Sequence, residues 1–167
     1  MELSPICVAT AWSVAIELAM VAVVYPGNSK IGGEKATYVF FNPQDWFASD
    51  TAKRLKTQLP KESAKATFAP FVKQYIGIVK VIIGLAAASI SFGGLQVTSS
   101  YIYTAKLLLA YSIAFAVVFS VTMVNFYENY LHDLTSYKPW KAIFVESCGL
   151  SSLFTFTLGY WYWARHL

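Results

Sequence analysis

Residues 101–127 read YIYTAKLLLAYSIAFAVVFSVTMVNFY, with Lys106 as the one charged side chain. A helix over this stretch is about 40 Å long at 1.5 Å per residue, more than a hydrocarbon core of about 30 Å requires. A membrane β-strand would alternate between apolar and polar residues, and this stretch does not. A segment in lipid must satisfy its own backbone groups, so the reading is a membrane-spanning helix.

Three more apolar runs stand beside it: Ile6–Tyr25, ended by Pro26-Gly27, then Tyr75–Leu95, then Ala142–Ala164. Each reaches spanning length. The sequence therefore predicts an all-α protein, an integral membrane four-helix transmembrane bundle that makes a single transmembrane domain of residues 1–167. Composition agrees. Hydrophobic residues are 56% of the chain and charged residues 13%, whereas soluble domains have about 25% charged residues. The region before the first run, Met1–Pro5, carries Glu2 and no basic residue. A secretory leader opens with positive charge, so the first run is expected to be a retained helix.

Charge distribution sets the expected orientation. Residues 26–74 carry Lys30, Lys35, Lys53, Arg54, Lys56, Lys61, Lys65 and Lys73, and the third connection carries Lys138 and Lys141. Basic loops stay on the cytoplasmic-equivalent side, so both termini are expected on the outer side. Tyr101 and Tyr103 at one end of the third run, and Tyr160, Trp161, Tyr162 and Trp163 at the end of the fourth, suit the headgroup level. The net charge of +4 thus reads as topology. With no nucleic-acid-binding motif present, nucleic acid is not an expected partner.

The long loop, 26–74, is basic and partly amphipathic. Asn42-Pro43 starts a turn, and a helix through Ala52–Leu59 would stop at Pro60. Trp46, Lys53, Arg54 and Lys56 make this loop a candidate for contact with an anionic lipid surface.

Helices in lipid associate through close approach and polar contacts. Small residues mark candidate packing faces, within the chain or equally between subunits: Gly77, Gly84, Ala88 and Ser91 on the second helix, Ser151, Thr155 and Gly159 on the fourth, and Ala11, Ala15 and Ala19 on the first. On this reading Gly84 faces a neighbour and Ile82 faces outward, so replacing Gly84 should disturb packing more than replacing Ile82.

Ionisable groups inside a span are costly and are candidate functional groups. Glu17 lies near the middle of the first helix. Lys80 and Glu146 lie four or five residues in from the basic-loop ends of theirs, about 6–8 Å deep. Asn125 and Glu128 lie at the same end of the third helix, so Glu17, Lys80, Asn125, Glu128 and Glu146 are expected to form an inner polar cluster. His132 and Asp133 are interfacial candidates. Glu128 and His132 share a helix face but make only part of a metal set, and no metal or cofactor is expected. Cys7 and Cys148 have neither disulfide nor metal spacing. No nucleophile-elbow, phosphate-cradle or redox-cysteine motif is present, so no catalytic residue is named.

The expected function is therefore that of a non-enzymatic membrane subunit, a structural or accessory component that assembles with copies of itself or with other membrane subunits and contacts membrane lipids. An oligomeric pore or ion-coupled transporter using Glu17 and the inner cluster is the alternative. An intramembrane lipid-modifying enzyme using Glu128, His132 and Asp133 is the weaker one.

Overall fold

The computed structural model describes residues 4–29, 61–92, 99–132 and 139–165, nearly all of them helical. The helices are α1 (Pro5–Ser29), α2 (Lys61–Phe92), α3 (Ser100–His132) and α4 (Pro139–Arg165). Each contains a stretch long and apolar enough to cross a membrane: Pro5–Tyr25, Val72–Ser91, Ser100–Asn125 and Ile143–Arg165. The chain is thus all-helical with four candidate spans, as expected of a multi-pass protein. The loop stretch holding Trp46, Lys53, Arg54 and Lys56 lies outside the described residues.

The helix ends depart from the apolar runs in two places. α1 continues through Pro26-Gly27 to Ser29, although the proline removes the hydrogen bond to the Ala22 carbonyl and crowds it. α2 begins at Lys61 instead of near Tyr75. Its first turns, KESAKATFA, are rich in strong helix formers, and a helix need not stop where its apolar window does. α4 opens on Pro139, where a missing N–H leaves nothing unsatisfied that was not so already.

Packing centres on α3 and α4, which form the most extensive helix pair. Along α3 the residues Ala105, Leu109, Ser112, Ala116, Phe119 and Met123 are all buried. Along α4 so are Val145, Cys148, Ser152, Thr155 and Gly159. Both series step by three and four residues, the period that keeps two helices in contact along a left-handed seam. Glycines set the closeness of the seam. A methyl at Gly149 would come within 2.9 Å of the Phe119 ring, and one at Gly159 within 3.0 Å of Leu109 and 3.3 Å of the Ala105 carbonyl oxygen.

α2 packs on α3 and barely touches α4, while α1 packs on α4 and α3. Among the described residues α1 and α2 do not meet, so the ring of four helices is open between them. α2 is held by Val72, Val79 and Ile82, the first two in one core cluster with Ala116, Phe119, Met123, Val145 and Cys148. This corrects the expected face of α2. Ile82 points inward at 6% exposure, whereas Gly84 and Ala88 face outward. A Cβ added at Gly77 or Gly84 would meet nothing within 4 Å. Ala11, Ala15 and Ala19 of α1 also face outward, and Ala9, Ser13 and Val24 face in.

Candidate functional site

α4 is the least apolar of the four spans and the most enclosed, with 50% of its span window buried against 11% for α1. In lipid this is the economical arrangement, because polar side chains find partners inside the protein. Glu146, Ser147, Ser151, Ser152 and Thr155 are all at most 1% exposed. With Val145 and Cys148, the first two fill four consecutive buried positions. Four successive residues point around the whole helix, so α4 is covered on every side at this level.

α1 brings its acid to this axis. The Ser147 hydroxyl lies 2.8 Å from Glu17 Oε1 and 3.1 Å from the Phe144 carbonyl oxygen. A hydroxyl has one proton to give and two lone pairs. With Glu17 ionised, that proton goes to the carboxylate. With Glu17 protonated, the acid donates to Ser147, which then donates back to Phe144. The same geometry therefore serves both protonation states. The other carboxyl oxygen, Oε2, is buried without a hydrogen-bond partner, and so are the hydroxyls of Ser151 and Ser152. Ser151 lies one turn along the Ser147 face.

Other polar contacts fix the register. Ser112 donates to the Ser152 carbonyl oxygen at 2.8 Å, between α3 and α4. The hydroxyls of Thr10 and Tyr111 lie 2.9 Å apart, between α1 and α3. Trp12 Nε1 donates to the Tyr162 hydroxyl at 3.2 Å. Tyr160 of α4 reaches across to Ser89 of α2.

The expected polar cluster is thus assembled selectively. Glu17 and the buried stretch holding Glu146 meet at one level. Lys80 is exposed on α2 and forms no ion pair among the described residues. Since α1 and α2 do not touch, Lys80 does not approach Glu17. Asn125 lines a cavity between α3 and α4, away from the Glu17–Ser147 contact. The side chains of Glu128 and His132, and all of Asp133, lie outside the described residues. Of the small residues expected to pack, Gly159 lies in the α3–α4 seam, and Gly77, Gly84 and Ala88 face out. Sequence reasoning missed Ser147 and Gly149. Ser147 precedes Ser151 and Thr155 at the same four-residue step, and that was the available signal. Among the described residues no group of three metal-ligating side chains forms.

No family model, no curated protein and no solved structure matches this chain.

Proposed function

We propose that the protein is a multi-pass, non-enzymatic membrane subunit that uses the outer face of α2 to assemble with another membrane protein. The observation that carries this is Lys80. Its position, eight residues beyond Val72, is about 12 Å into a span of about 30 Å, close to the middle. It is exposed there, on the same side of the helix as Gly77 and Gly84. A lysine on a lipid-facing surface there costs up to about 2.5–3.5 kcal/mol on the insertion scales, less what its stem recovers by reaching toward the interface. A neighbouring helix with an acidic or strongly polar group removes that cost, and the two glycines let its backbone come close. A second copy fits less well. A two-fold contact through this face sets Lys80 against Lys80, and the chain's own intramembrane acids, Glu17 and Glu146, are turned toward α4 or buried on it. The basic segments lie on the cytoplasmic-equivalent side and both termini on the other, in keeping with the charge bias.

The test is the native mass after gentle extraction from the source membrane. The wild-type chain, 18.6 kDa, should run in a larger complex. Lys80→Met should run alone with its melting temperature unchanged. A wild-type protein that runs as a single chain sinks the proposal.

One observation favours a second reading, a proton- or cation-binding role for Glu17: its half-buried carboxyl has one oxygen on Ser147 and the other without a partner. In reconstituted vesicles Glu17→Gln would then abolish a pH-dependent flux while leaving the assembly intact. Unchanged flux removes this reading.

A further inference from the structure

A cavity of about 280 Å³ opens between the basic-loop ends of α3 and α4, far along α4 from its outer aromatic end. It straddles the ends of both spans. Asn125 is the last residue of the α3 span, and Ile143 is the first of the α4 span. On the apolar side of that level the walls are Val121, Phe144 and Val145. On the other side stand Trp140 and Lys141. Trp140 is 63% exposed, and its ring lies 5.8 Å from the Lys141 ammonium, close enough to tether the charge at the mouth.

We infer that this cavity binds an anionic phospholipid, with its phosphate at Lys141 and the upper part of an acyl chain along Val121, Phe144 and Val145. The inference rests on the membrane placement proposed above and goes beyond it. Three features select this ligand. The first is charge. Lys141 stands in the first turn of α4, the helix end that favours an anion, and among the described residues no carboxylate lines the cavity. The second is the lower wall. The Thr122 hydroxyl donates to the carbonyl oxygens of Val118 and Phe119 at 2.7 and 3.1 Å. Its proton is spent on its own helix, so beyond Asn125, at the level of Val121, Phe144 and Val145, the wall is apolar and suits hydrocarbon. The third is size. The volume is at the lower edge of small-molecule pockets, about 300 Å³, so it admits one end of an amphiphile and leaves the rest in the bilayer. A free phosphate ion would make no use of the apolar walls.

The test is native mass spectrometry of the full chain from detergent containing equimolar dioleoyl-phosphatidylglycerol and dioleoyl-phosphatidylcholine. The wild type should retain the anionic lipid over the zwitterionic one by about five-fold, the value of one lysine near an anionic surface. Lys141→Gln should fall to parity. Val121→Trp, which fills the cavity without touching the charge, should fall as well. Lys73→Gln, which removes an exposed lysine elsewhere, should keep the preference. The inference is overturned by parity in the wild type, by a preference that survives in Lys141→Gln, or by an equal loss in Lys73→Gln, which is a diffuse annulus. It is also overturned if millimolar inorganic phosphate displaces the lipid from the wild type, since the site then reads phosphate alone. Flotation of the wild type with vesicles tests the membrane placement separately. Failure there defeats the proposed function, whereas failure of lipid preference with flotation intact defeats only this site.

Discussion

Replacing Gly149 by alanine tests the α3–α4 seam at its tightest point. The new methyl would be 2.9 Å from Phe119 Cδ2 and 3.0 Å from Cε2, where carbon atoms prefer about 3.5–4.0 Å. Relief requires the ring or the helix to move by roughly 0.6–1 Å. The ring has nowhere easy to go. Phe119 is 1% exposed and belongs to the core cluster with Val79, Met123 and Val145. Overpacking of this kind costs about 1–3 kcal/mol. Alanine also gains up to about 1 kcal/mol of helix propensity over glycine. Gly84→Ala carries the same gain and meets nothing within 4 Å. The difference between the two variants therefore isolates the steric cost, about 1–3 kcal/mol, or about 5- to 150-fold in the unfolding equilibrium constant. Reversible unfolding of the purified protein in mixed micelles, titrated with SDS, would measure it. Equal stability of Gly149→Ala and Gly84→Ala would refute the packing argument.

Ile82→Ala should destabilise by about 2–4 kcal/mol, as for a buried large-to-small change, while Val81→Ala, 61% exposed on the other side of α2, should stay within about 0.5 kcal/mol; the same titration reads both. Ser147→Ala leaves Glu17 with no hydrogen bond and should cost about 1–3 kcal/mol. Glu17→Gln keeps an acceptor for Ser147 and should cost less, so equal losses from the two would show that the contact is not the source. Ser112→Ala removes one interhelical bond and should cost about 0.6 kcal/mol, with about 1.7 as the ceiling; a larger loss would point to repacking of the seam. A cysteine introduced at either terminus, in a Cys7→Ser background, should react with an impermeant maleimide in intact cells, and protection of both termini reverses the orientation.

The spans were legible because length and apolarity suffice to define them. α1 and α3 begin within a residue of their apolar runs. The start of α2 was not, since KESAKATFA is helical by propensity and not apolar. Which face of α2 packs within the chain differs from the expected one for a physical reason. Gly84-x-x-x-Ala88 marks where a backbone can be approached but does not say by what, whereas the branched seam of Val72, Val79 and Ile82 does the intramolecular packing. Glu17 was legible as a costly group in mid-span. Its partner was not, because Ser147 becomes a neighbour only once the register of α1 on α4 is known. Lys80 was given a role inside the chain, and with no α1–α2 contact among the described residues it stands outside.

The contact between Glu17 and Ser147 spans 130 residues of sequence, and that separation has a consequence in time. At about 5–20 residues per second, α1 is made about 7–26 s before the hydroxyl that receives its acid. Among the described residues α2, the next helix to emerge, does not touch α1, and α3 packs on α1 and adds the Thr10–Tyr111 bond but leaves the Glu17 carboxyl without its hydroxyl. During that interval the carboxyl of the first helix lacks the hydroxyl that it meets in the finished fold. A chain that stops short of α4 is thus chemically unfinished at its beginning, and the last helix made is the one that completes the first.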